Sequence, residues 1–236
     1  MSEWKQKRFW TSADVVADGA GFTVVLDGRH LKTPAKRPLV VPTEALAKAI
    51  ADEWQRQNDL VDPLSMPFTR SANAAIDKVA SQKSEVADLI AAYAETDLLC
   101  YRAAEPVGLI DRQMNGWDPL LDWAAETYGA RLQPVSGVMY HTQPPDAIRV
   151  LSDKVHSFDD FALTAVHDLV SLTGSVVIGL AATHDHFDPS ALWQLSRIDE
   201  DWQIEQWGVD EEAAETAQNK RNAFLHAHRF YNLTQN

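Results

Sequence analysis

The chain contains a single cysteine, Cys100, and that scarcity closes off two common ways of fixing a fold. One thiol forms neither an intrachain disulfide nor a zinc site built from several thiolates, so a reducing compartment is expected. Its apolar setting, DLLCY, reads as a buried structural thiol rather than a nucleophile. Cations are also sparse: 21 Lys and Arg stand against 34 Asp and Glu, a formal net charge of −13. Neutralising phosphates takes clustered Lys and Arg, which excludes nucleic acid as a partner and leaves proteins or small molecules.

The usual phosphate and metal loops are missing. The sequence has no GxxxxGK[ST] loop, no GxGxxG after a strand, no GxSxG elbow and no HExxH pair, so an ATPase or dehydrogenase built on those loops is excluded. It also lacks a long unbroken apolar run. The most apolar stretch, FALTAVHDLVSLTGSVVIGLAAT at residues 161–183, contains His167, Asp168 and several hydroxyls, and its continuous apolar part falls well short of the roughly 20 residues a membrane span needs. A buried central helix is expected there, with Gly174, Ser175, Gly179 and Ala182 letting neighbours approach closely, and no membrane insertion. The opening MSEWKQKRFW has no apolar core and no transit-peptide character, which gives the expectation of a bacterial cytoplasmic protein. Sparse lysine on an acidic surface suggests a soluble chain that is monomeric when free.

What is present changes character along the chain. In GAGFTVVLDGRHLKTP the residues Phe22, Val24 and Leu26 alternate to one side, and Asp27-Gly28 supplies the positive φ angles of a tight hairpin turn. RPLVVP reads as a further strand of a small antiparallel sheet. After Pro42 the period becomes helical: Thr43 caps EALAKAIADEWQRQ, whose Leu46, Ala47, Ile50 and Trp54 share one face, so Trp54 points inward as a structural residue. Helical patterns follow over 68–95 and over 109–128, the latter carrying Trp117 and ending at Gly129. A Pro- and Gly-rich loop over 132–146 precedes four more helical segments running to Tyr231. These patterns predict an α+β protein: a β-rich N-terminal domain with one helix over 1–62, then a larger all-helical C-terminal domain over 63–236.

Two stretches could carry chemistry. THDHFDPS, residues 183–190, offers His184, Asp185, His186 and Asp188 as metal ligands. Asp188-Pro189-Ser190 is also a standard helix start, with a capping carboxylate and proline at the first helical position, and that reading is preferred; no metal or other cofactor is expected. WQLSRIDEDWQIEQWG, residues 193–208, sets three tryptophans among Asp199, Glu200, Asp201 and Glu205. Read as one helix over 189–206, it places Leu192, Leu195, Asp199 and Trp202 on one face, pairs Arg197 with Asp201, and puts Glu200 beside Trp193 and Ile204. Asp199 interrupts an apolar stripe, so it is either paired in the core or set at a surface that a partner covers. Asp199 and Glu200 project about 100° apart and do not converge as an acid–base pair.

Five blocks resemble, in this chain order, the assembly chaperones of the F-type ATP synthase head: LDGRHLKTP at 26–34, VPTEALAKAIADEW at 41–54, TDLLCYR at 96–102, WDPLLDWAAETYG at 117–129 and SRIDEDWQIEQWG at 196–208. KRFW at 7–10 fits the start of the same family, whose eukaryotic relatives are mitochondrial matrix proteins. The resemblance implies a non-catalytic chaperone that binds the unassembled alpha subunit and prevents its aggregation until beta subunits replace it. It also implies that an acidic residue at Asp199 or Glu200 matters for activity, and it shifts the acidic helix, with Trp202 and Trp193, toward a partner surface. The competing readings are a metal-dependent hydrolase using His184, His186 and Asp188, and a permanent structural subunit of another complex.

Overall fold

The hairpin forms where the alternation and turn chemistry place it. In the computed structural model, which describes residues 7–184 and 187–235, β1 (Ala13–Asp18) and β2 (Gly21–Leu26) pair antiparallel, Ala13 opposite Leu26 and Asp18 opposite Gly21. Asp27 and Gly28 then take φ of 46° and 81° and return the chain as β3 (Arg29–His30) along β2. The Asp27 carboxylate accepts the backbone N–H groups of Ser12 and Thr11 at 2.9 and 3.0 Å. Those bonds hold its pKa below the usual carboxylate value. β4 (Val40–Val41) pairs with the start of β2, leaving β2 as the central strand. Thr23 and Val25 are buried as well as Val24 and Leu26, so both faces of β2 are covered.

The described residues of Met1–Lys83, together with Asp159–Ala165 and the described part of Arg229–Asn236, form one compact unit. Its helices are α1 (Glu44–Gln55) and α2 (Pro67–Asp77). Thr43 caps α1 by accepting the Leu46 N–H at 3.1 Å and donates its own hydroxyl to the Leu233 carbonyl at 2.5 Å. The core holds Trp10, Val24, Leu26, Leu39, Leu46, Ile50 and Phe68, and also Phe230 from the end of the chain. Trp54 packs edge-on to Trp10, with ring centroids 5.1 Å apart. Arg8, in the KRFW block, donates to the carbonyls of Gln57 and Gln55 at 2.6 and 3.2 Å, where the negative end of α1 favours a cation. Glu53 is buried and accepts the N–H groups of Phe68 and Thr69 at 2.6 and 2.8 Å, capping α2.

The second unit comprises Ser84–Phe158 and the described residues of Val166–His228. It contains most of α3 (Lys83–Ala91), then α4 (Val107–Tyr128), α5 (Pro145–His156), the later turns of α6 (Asp160–Thr173), α7 (Val176–Ala181), α8 (Pro189–Leu195), α9 (Ile198–Trp207) and most of α10 (Glu211–Gln235). It is not purely helical: β5 (Tyr101–Arg102) pairs in parallel with β6 (Val135–Ser136). The expected central helix over 161–183 is two helices. Gly174, at φ +71°, closes α6 by donating its N–H to the Val170 carbonyl at 2.8 Å, and Ser175 starts α7 by accepting the Ile178 N–H at 3.0 Å. Among the described residues no helix is long and apolar enough to cross a membrane.

The acidic stretch also departs from its expected form. Ser196 ends α8, bonding its hydroxyl to the Trp193 carbonyl at 2.7 Å, and Arg197 leaves helical geometry at φ −112°, ψ 9° before α9 begins. The helix expected over 189–206 is therefore broken into two, although Leu195, Asp199 and Trp202 of the expected stripe still all face α4. These two breaks turn the four expected late helices into six.

Candidate functional site

α9 lies against the first half of α4, and the sequence of α4 explains how closely. Gly108 and Gly116 recur at a helical spacing, and a Cβ on either would stand 2.9 Å from the Trp202 ring or 2.8 Å from the Ile198 side chain. Between them Arg112 stacks 4.8 Å above the Trp202 ring and forms a two-pronged pair with Glu205, at 2.7 and 2.6 Å. That pairing holds the Glu205 carboxyl below its ordinary pKa. Gln113, which is 1% exposed, accepts the Ala103 N–H at 2.8 Å and donates to Asp199 at 2.6 Å. The inward stripe of α9 is thus Ile198, Asp199, Trp202 and Glu205.

The opposite stripe is Arg197, Glu200, Ile204 and Trp207, at steps of three and four residues. Arg197 pairs with Glu200 at 2.7 Å, replacing the expected Arg197–Asp201 pair because the break before Ile198 puts Arg197 outside the helix. No residue of α9 is buried, and Trp207 is 79% exposed.

Asp199, Glu200 and Trp202 are all half-buried and separate by what they face: Asp199 is occupied by Gln113, Trp202 lies on α4, and Glu200 stands on the outer stripe with its side chain 44% exposed. Trp193 is 5% exposed and packs on Phe224, so its ring lies inside the fold and not on the surface. Trp117 is fully buried, donates to the Leu195 carbonyl at 2.7 Å and lies under Arg102, which also pairs with Asp118 at 2.7 Å. The TDLLCYR and WDPLLDW blocks therefore meet.

The histidine cluster does other work in its described part. His184 and Tyr128 are 2.7 Å apart, within an aromatic group around Trp123. Asp188 caps α8 through the Ala191 N–H at 2.9 Å. Asp185 and His186 lie outside the described residues, and among those described no three His, Cys, Asp or Glu side chains group to hold a metal. Cys100 is buried, and burial pushes its thiol up to about 12, which leaves it inert.

The ATP12 chaperone protein family matches residues 7–125, and two solved structures of Atp12 from Paracoccus denitrificans, one of them a point mutant, share the whole architecture. Each is 48% identical with a TM-score of 0.96, covering 99% and 98% of this chain and 100% of its own. The chain belongs to the ATP12 chaperone family. Atu1473 from Agrobacterium tumefaciens is 41% identical with a TM-score of 0.91, over 98% of this chain and 86% of its own. Protein atp12, mitochondrial, of Schizosaccharomyces pombe is 25% identical over 222 residues, 89% of this chain and 76% of the relative. An ATP12-family protein is an assembly chaperone of ATP synthase and not an enzyme, which removes the hydrolase reading.

Two parts of this ATP12-family surface escaped the sequence reading. Arg112 and Gln113 hold α9 from another helix, and only the Gly108/Gly116 spacing hinted at so close a neighbour. Trp207 was passed over because a single long helix put the apolar face elsewhere.

Proposed function

We propose that this chain binds the unassembled alpha subunit of the F-type ATP synthase in a bacterial cytoplasm, shielding its apolar surface from aggregation until beta subunits take that place. The observation that supports this reading most is the outer stripe of α9. A helix with no buried residue, held to α4 through its inner face alone, presents Glu200, Ile204 and Trp207 outward. Aromatic and aliphatic side chains supply contact area to a client, and the carboxylate orients it. Asp199 acts one step back, fixing the helix through Gln113, and the half-buried Trp202 anchors the same helix against α4.

The test is capture of isolated alpha subunit on a sizing column, with beta subunit as the comparison. The wild-type chain is expected to form a complex with alpha alone. Glu200→Lys should weaken it by about tenfold or more while the thermal midpoint stays close to wild type. Loss of capture matched by loss of folding would place Glu200 in the scaffold instead and sink the surface assignment.

A further inference from the structure

Past Trp207 the chain turns at Gly208, φ +90°, and enters α10. Every residue from Gln203 to Thr216 is exposed. Within that elbow Trp207 is 79% and Val209 67% exposed, with Ile204 beside them on α9 at 37%. Two carboxylates here are already used: Glu205 by Arg112, and Asp210 as the cap of α10 through the Ala213 N–H at 2.8 Å. Asp201 lies within electrostatic reach of Arg112, whereas Glu211, Glu212 and Glu215 have no cation at salt-bridge distance among the described residues. The groove of about 410 Å³ beside the elbow, lined by Arg197 and Lys220 as well as Asp210 and Glu212, is balanced in charge, so the acidic surface is the exposed start of α10 around Trp207 and not this groove.

We infer that the elbow between α9 and α10 docks a basic segment of the client, one presenting Lys or Arg next to an aliphatic or aromatic side chain, with Trp207 as the apolar anchor. This rests on the chaperone reading above and adds what the client must look like. An exposed indole offers a large area whose burial favours association, and its ring face attracts a cation. Arg112 over Trp202 makes that same pairing on the inner side of the helix. Unneutralised carboxylates around the indole steer a cationic segment inward and repel an acidic one, including an anionic membrane surface.

Fluorescence anisotropy with three labelled peptides tests this on the full chain: alternating Lys/Leu, Gln/Leu and Glu/Leu. The Lys/Leu peptide is expected to bind. Trp207→Ala, and separately Glu211→Gln with Glu212→Gln, should weaken it about tenfold. The same loss of charge at Asp122 and Glu126 on α4 should leave it unchanged, and circular dichroism should show all variants folded. Equal binding of the Gln/Leu peptide, indifference to Trp207→Ala, or an equal effect of the remote charges overturns the inference. Alpha-subunit capture separates the two proposals. If wild type and Trp207→Ala capture alpha equally, the elbow assignment fails and the proposed function stands. If the peptide docks at Trp207 and no alpha is captured, the elbow's chemistry stands and the client's identity falls.

Discussion

Gly179 shows how little room single residues leave in the helical unit. A Cβ there would overlap the Val170 side chain and stand 3.2 Å from the Val170 backbone nitrogen. Backbone cannot rotate aside as a side-chain tip can, so Gly179→Ala forces α7 away from α6. Overpacking of this kind costs about 1–3 kcal/mol, and a urea melt should show the midpoint falling with the slope unchanged. A midpoint equal to wild type would mean that the two helices separate freely. The small residues over 174–182 marked this approach in the sequence, although the break at Gly174 did not follow from them. Glu53 and Asp97 were less legible. Each is a buried carboxylate capping a different helix, 15 residues on for Glu53 and 80 for Asp97, and periodicity along one helix carries no sign of such a partner.

At the scale of elements, the two adjacent acids of α9 separate cleanly. Asp199→Ala leaves the amide of Gln113, 1% exposed, without its acceptor, at a cost of about 1–3 kcal/mol. Glu200→Ala removes an i,i+3 pair with Arg197 that is part-buried but still reached by water, a loss of about 1 kcal/mol or less. Both sit in the first turn of α9, so the favourable interaction with the helix dipole is common to both. Chemical denaturation should rank Asp199→Ala as the clearly less stable variant, and equal midpoints would show that the Gln113 bond holds nothing. The periodicity separated the two faces but left Asp199 either paired or open to a partner, because its partner Gln113 lies on another helix; the break at Ser196-Arg197, which carries neither Gly nor Pro, was not legible either. The hairpin at Asp27-Gly28, the Thr43 cap, the Asp188 cap and the end of α4 at Gly129 were legible because each is decided within a few residues. The return of Phe230 to the N-terminal core was not, since nothing in the residues around it, HAHRF at 226–230, names its partner.

Across the whole molecule, charge and burial combine to set the pH of greatest stability. Burial raises the Asp97 carboxyl to about 6, outweighing the N–H groups of Leu99 and Val177 that favour its charged form. Burial likewise raises Glu53, and the bond to Asp168 raises His167. A raised group contributes stability that is complete below its ordinary pKa and is lost as pH rises through its folded value. For Asp97 the shift from 3.8 to about 6 corresponds to roughly 3 kcal/mol. Asp27 and Glu205, both lowered, act oppositely: their contribution is present above the ordinary carboxylate range and is lost as pH falls. Stability should therefore peak at mildly acidic pH; a little under half of the Asp97 contribution is lost between pH 5 and pH 8, and the thermal midpoint should fall by about 3–6 °C across that range. Self-repulsion of a chain carrying −13 acts in the same direction but is screened by salt, whereas a buried carboxyl is screened far less. Repeating the scan at high salt separates the two causes. A slope that persists in salt and flattens in Asp97→Asn assigns it to the buried acid; one that salt abolishes assigns it to the surface charge.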